Sequence, residues 1–334
     1  MRKTGLLISA LVIAVSLTAC SGGKGADKEA KAARWPKSTV TIEVAAGAGG
    51  GTDNRCRIFT NYLQKATGQA MTVINDATGN GTVAYETVRN AEPDGSTLLF
   101  YHSTFPIQYY QGIYDHDPAD PENFTVIACV VNGGDGNALC VPADAPYDTL
   151  DELMAYCREH PGEITFGNQN GGFGQLEALM LADLADVKIN FVDAGGQADT
   201  IIAMLGGNID CTFISPDAGA QYEEAGDMKI LGICNEERSP YYPDIPTMVE
   251  QGYDVVLKSD MYVFGPSGMD ADLVESINQT FRGAADDQDV IKGLANMSDG
   301  YTAMSVQESQ EGWAKTCEKL KEMCKLAGYE VTGG

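Results

Sequence analysis

The chain has 334 residues and carries 22 lysines and arginines against 47 aspartates and glutamates, a net charge of −25. So negative a surface repels phosphate backbones and anionic lipid, which argues against nucleic acid as a partner. It also repels a small anion at long range, so any anion site must be local, made of backbone amides and hydroxyls.

Arg2 and Lys3 precede an apolar run from Leu6 to Leu17, which closes in Leu17-Thr18-Ala19-Cys20. A basic start, an apolar stretch too short for an ordinary spanning helix, and small residues before a cut site read as an export signal over residues 1–19. The ending resembles the lipobox of bacterial lipoproteins, which makes Cys20 the lipidated mature N-terminus; the alternative is an ordinary signal peptide with Cys20 incidental. Residues 20–34 contain Gly22, Gly23 and Gly25 without apolar periodicity and are expected to form a flexible tether. Beyond them, no segment is apolar for long enough to span a bilayer.

From Trp35 onward the chain alternates. A strand at Val40–Val44 leads through Gly47-Ala48-Gly49-Gly50-Gly51-Thr52 into a helix over Arg57–Leu63. Strands are expected at Met71–Ile74 and Thr97–His102, with a helix near Val83–Asn90 between them. Thr149-Leu150-Asp151-Glu152 is a capping box that opens a helix. A strand at Ile164–Gly167, a helix near Leu176–Leu184, and a strand at Lys188–Val192 follow. Then come a helix at Ala198–Leu205, a strand at Ile209–Ile214, a helix at Ala218–Ala225 and a strand at Lys229–Cys234. The last helix opens at Ser305, with Glu308 completing its box, and stops at Gly328. Such alternation predicts an α/β protein whose sheets are mostly parallel, with helices on both faces. Apolar crossings around Thr125–Val141 and Val255–Phe264 predict two lobes. The first is discontinuous, residues 35–134 and 254–334; the second is 135–253. Ligands of such sheets bind outside the carboxyl ends of the strands, which places the site in the cleft between lobes.

Eight cysteines follow Cys20. An even number in an exported protein invites disulfides, but no C-x-x-C occurs, and small buried hydrophobes serve equally well. Cys317 and Cys324 cannot pair on one continuous helix, because seven residues separate them by about 10.5 Å.

The glycine turn is not a dinucleotide fingerprint, since threonine stands where G-x-G-x-x-G needs its third glycine, and no lysine makes it a Walker loop. Its physics survives. Successive glycines let the main chain approach a ligand closely, and the amides at the helix N-terminus favour an anionic head group. Gly49, Gly50, Gly51 and the Thr52 hydroxyl are therefore the candidate carboxylate grip, with no obvious cation beside them. Asp53 is either a ligand contact or a helix cap. A second strand-to-helix turn, Asn168-Gln169-Asn170-Gly171-Gly172, offers amide donors and acceptors without charge. One such turn per lobe can close on one small polar ligand.

These residues carry a family resemblance. Trp35-Pro36, the run Thr41–Asp53, Gly79-Asn80-Gly81-Thr82 and Ala91–Leu99 resemble the extracytoplasmic solute receptors of tripartite tricarboxylate transporters. So do Phe166-Gly167, Leu205-Gly206-Gly207-Asn208, and Glu237–Pro240 with Pro243–Thr247. The resemblance implies the two-lobed periplasmic-binding-protein fold and a monomer without cofactor, metal or catalysis. It implies delivery of a small carboxylate, a di- or tricarboxylate or an amino-acid-like one, to a large and a small membrane subunit. Carried onto this chain, it points to Gly49–Asp53, Asn168–Gly174 and Asp193-Ala194-Gly195; Ser103, at the carboxyl end of a strand, and Asp217 are further candidate ligand contacts. Ala48 stands where the family usually has proline, and amides replace the hydroxyls of its second turn. At 193–195 the family often has an aromatic residue and lysine; a carboxylate there disfavours a tricarboxylate and suits an amine or hydroxyl, unless Asp193 is only a solvated loop residue.

The rival class is a secreted hydrolase of small carboxylates or esters. His102 and Ser103 are strand neighbours that point to opposite faces, and no G-x-S-x-G elbow exists. His102, His116 and His160 make no metal spacing.

Overall fold

The computed structural model describes residues 35–102, 104–132 and 134–331, so Cys20, the signal, the tether and Ser103 lie outside the described residues. In chain order the elements are β1 (Val40–Val44), α1 (Gly51–Thr67), β2 (Met71–Asn75), α2 (Thr82–Arg89), β3 (Thr97–His102), α3 (Thr104–Tyr110), β4 (Phe124–Val131) and β5 (Ala138–Pro142). Then follow α4 (Leu150–Glu159), β6 (Thr165–Asn168), α5 (Phe173–Ala185), β7 (Asn190–Asp193), α6 (Gln197–Leu205), β8 (Thr212–Ile214), α7 (Pro216–Ala225) and β9 (Met228–Ile233). The chain ends with β10 (Met261–Pro266), α8 (Ala271–Arg282), α9 (Gln288–Ala295) and α10 (Val306–Leu326).

The first sheet has the order β2-β1-β3-β10-β4, parallel except for β10, which runs antiparallel to both neighbours. Side-chain alternation buries it on both faces. Leu98 and Phe100 of β3 join Val40, Ile42 and Val44 beneath α1, α8 and α9, whereas Leu99 and Tyr101 meet Tyr85 of α2, Phe105 of α3 and Trp313 of α10.

The second lobe repeats this plan. Antiparallel β5 lies between β8 and β9, and β6 pairs in parallel with β7. A parallel bridge from Phe166 to Cys211 ties β6 to the start of the β8 segment. The resulting order, β7-β6-β8-β5-β9, matches the first sheet strand for strand. In each sheet a strand arriving from the other lobe runs antiparallel between two native ones. Leu139 and Val141 of β5 face α4, α5 and the end of α10, while Ala138 and Cys140 face α6 and β9. This is the two-lobed α/β architecture of periplasmic binding proteins.

Caps explain several boundaries. The Thr149 hydroxyl accepts from Glu152 N at 3.2 Å, but the return bond of Glu152 goes to Asp148 N rather than to the cap residue. Ser305 and Glu308 form the complete reciprocal box. Helices α8 and α9, which the sequence reading passed over, start at Asp270 and Asp287, each accepting two first-turn amides. All eight cysteines of the described residues are unpaired and buried, which settles the choice between bridges and small apolar side chains.

Candidate functional site

A cavity of about 410 Å³ lies at the carboxyl ends of strands from both sheets, a size usual for small-molecule sites. Its walls come from the turns after β1, β6, β7 and β8 and from the end of β3: Gly47-Ala48, Gly50–Thr52, His102, Asn168-Gln169, Gly172–Gly174, Gly195–Thr200, and Ser215-Pro216. Helices α1, α5, α6 and α7 all begin there, and none has a side-chain cap. Helices α4, α8, α9 and α10, which begin elsewhere, are all capped by Thr, Asp or Ser side chains. Helix N-termini carry partial positive charge and open N–H groups, which a cap normally satisfies. Leaving four of them open around one cavity makes that cavity attractive to an anion in an otherwise acidic protein.

The first turn differs in detail from expectation. Gly49 N donates to Asp53 Oδ2 at 2.8 Å, and Gly50 N donates to Gly47 O at 3.3 Å. Neither amide then points at a ligand. Those of Gly51 and Thr52 begin α1 and have no carbonyl a turn before them inside the helix. Asp53 is buried, faces back into the turn, and also accepts from Arg57 Nε at 3.0 Å. Hydrogen bonds from Arg57 and Gly49 hold its carboxyl below the usual range, against the opposing effect of burial.

Asn168, Gln169 and Gly172 line the cavity in the second turn, whereas Asn170 and Gly171 do not. The Gly171 amide is taken by Gln175 Oε1 at 2.8 Å, and Asn170 Oδ1 accepts from Gln175 Nε2. In the third turn Gly195 lines the cavity, but Asp193 is exposed and accepts from Gly195 N at 3.2 Å. Ala194 donates to Asn168 O at 3.0 Å, which ties the two turns together. Asp217, also outside the lining, has a buried Oδ1 with no partner among the described residues.

Sequence reasoning missed the charged wall. Arg55 and Asp299 both line the cavity, and Arg55 Nε donates to Asp299 Oδ2 at 2.5 Å. The expectation that no cation stands at the glycine turn is thereby corrected. The available signal was spacing: Arg55 is four residues after Gly51 and so shares its helix face. A Cβ on Gly51 would stand 2.8 Å from Arg55 Nη1, so glycine also makes room for the guanidinium. Asp299, 244 residues away, had no local signature. Burial raises its pKa, Arg55 opposes the rise, and the charges of Asp217 and Asp135 add to it. His102 lies against Tyr101 and Phe173, with ring centroids 4.4 and 5.8 Å apart. Burial, aided by the charge of Arg55, lowers its pKa to about 3, so the imidazole is neutral and a poor general base. No group of His, Cys, Asp and Glu side chains among the described residues could hold a metal.

An open, anion-attracting cavity between two lobes of matching topology defines a solute-binding protein. The sequence profile described as tripartite tricarboxylate transporter family receptor matches residues 56–328. The chain belongs to that family, whose members are exported substrate-binding receptors rather than enzymes. The protein of the gbd 5′ region of Cupriavidus necator is 28% identical over 313 residues, covering 93% of this chain and 94% of its relative. A Rhodopseudomonas palustris protein solved with adipate superposes with a TM-score of 0.81 at 24% identity, over 89% of this chain and 99% of that one. MatC from the same organism, solved with malate, gives 0.78 at 23% identity, over 86% and 99%.

Proposed function

We propose that this chain is a lipid-anchored receptor that captures a small carboxylate between its lobes. It delivers that ligand to the large and small membrane subunits of a tripartite transporter. The observation that carries the reading is the set of four helix starts, those of α1, α5, α6 and α7, left without side-chain caps around one cavity. The amides of Gly51 and Thr52, with the Thr52 hydroxyl, grip the carboxylate from the first lobe. Asn168, Gln169, Gly172 and Gly195 meet the ligand from the second. The malate and adipate found in related structures support a carboxylate as the ligand class.

The lobes of the working receptor are residues 35–134 with 254–334, and 135–253. Supporting these limits, β4 ends at Val131 and β5 begins at Ala138, while β9 ends at Ile233 and β10 begins at Met261. The protein acts as a monomer, and its crossings serve as hinges on which the lobes close.

Thermal melting and small-angle scattering across a panel of mono-, di- and tricarboxylates and amino acids test this. A receptor melts later and contracts with its ligand, which is recovered unchanged. Consumption of the ligand, or no response to any member of the panel, would overturn the proposal.

A further inference from the structure

We infer that the cleft is built for a ligand carrying an ammonium group as well as a carboxylate, with Thr52 and the start of α1 at the carboxylate pole and Asp135 with Asp299 at the ammonium pole. The inference rests on reading the cleft as a carboxylate site and names the ligand class.

Charge is the first argument. Among the described residues, the charged side chains of the lining are one cation, Arg55, and three anions, Asp135, Asp199 and Asp299. His102 adds nothing, being neutral. Arg55 is already matched by Asp299, at 12% and 6% exposure respectively. A second ligand carboxylate would therefore enter a cavity of net negative side-chain charge and find no unmatched cation. An ammonium group would find charge of the opposite sign.

Hydrogen bonding is the second. Thr52 is 8% exposed and lines the cavity, and its hydroxyl has no partner among the described residues. A hydroxyl there can donate to a carboxylate. Asn168 is 5% exposed and also lines the cavity; its Nδ2 donates to Gln169 O at 3.1 Å, which leaves Oδ1 as an acceptor. A spare acceptor on a residue of the cavity wall suits an N–H or O–H.

Asp135 extends the acceptor side. Its oxygens accept from Asn235 Nδ2 at 2.7 Å and from Ser239 Oγ at 2.5 Å, and each keeps a lone pair. These bonds hold the carboxylate in place at the wall. Asp217 stands close enough that its charge, with that of Asp135, is felt by Asp299. Asp193, the residue the sequence offered for this role, is turned away.

The test is calorimetry on the full mature protein with matched acids. Alanine, 3-aminopropanoate and 4-aminobutanoate are compared with methylmalonate, succinate and glutarate, in which a carboxylate replaces the ammonium. At least one aminocarboxylate should bind about tenfold or more tightly than its counterpart, the worth of one charge-assisted hydrogen bond. Asp135→Asn should cut that preference about tenfold, and Asp299→Asn should cut it too. Binding of dicarboxylates with no aminocarboxylate preferred overturns this inference and leaves the carboxylate receptor standing. If no acid of either series binds, both readings fall.

Discussion

Arg55→Met keeps the apolar stem of the side chain and removes its charge, which strands Asp299 in a buried site. In the wild type, burial, Asp217 and Asp135 all raise the Asp299 pKa, and Arg55 alone pulls it back. Without Arg55 every remaining influence raises it. Removing one partner of a buried pair costs about 3–5 kcal/mol. Arg55 is 12% exposed and borders the cavity, which places the loss near the lower end, about 3 kcal/mol. At about 2 °C per kcal/mol for a chain of this size, the midpoint should fall by about 6 °C at pH 8. A carboxyl whose folded pKa lies above its unfolded value destabilises the fold at high pH, and the penalty is relieved as pH falls through the folded pKa. The gap between variant and wild type should therefore be widest at pH 8 and narrow toward pH 5. Scanning calorimetry at four or five pH values measures it, and adding Asp299→Asn should abolish its pH dependence. A gap independent of pH, or one under about 1 kcal/mol, would refute the pairing as a buried one.

Thr52→Val preserves shape and removes one donor, so affinity for the tightest carboxylate of the panel should fall about tenfold or more by calorimetry. Loss of less than about twofold would remove the hydroxyl from the grip. Glu177 of α5 is fully buried, accepts from Asn137 Nδ2 at 2.8 Å, and has its pKa raised to about 7 by burial. It should add stability as pH falls from about 7 toward the unfolded value, and Glu177→Gln should flatten that stretch of the melting curve against pH. An unaltered slope would place the titration elsewhere. Cys20→Ala should release the protein from membranes in cell fractionation without altering ligand affinity; continued attachment would defeat lipidation at Cys20.

Local signals made much of the fold legible. Strand alternation at Val40–Val44 and Thr97–His102, and caps at Thr149 and Ser305, act over four residues or fewer, so they can be read in one dimension. The glycine turn was legible as a strand-to-helix turn bordering the cleft for the same reason: positive φ at Gly49 and an adjoining helix start are local properties. What its amides do was decided by folding, because Asp53 turned back onto Gly49 and withdrew it from the cleft. Long-range pairing decided the rest. Nothing near β10 announces that it will lie antiparallel between β3 and β4, since that place depends on strands more than a hundred residues away. Likewise, the burial of eight cysteines in the cores and the meeting of Arg55 with Asp299 across 244 residues are products of packing. A charge pair of that separation has no period or motif, and only the closed fold brings its members to one wall.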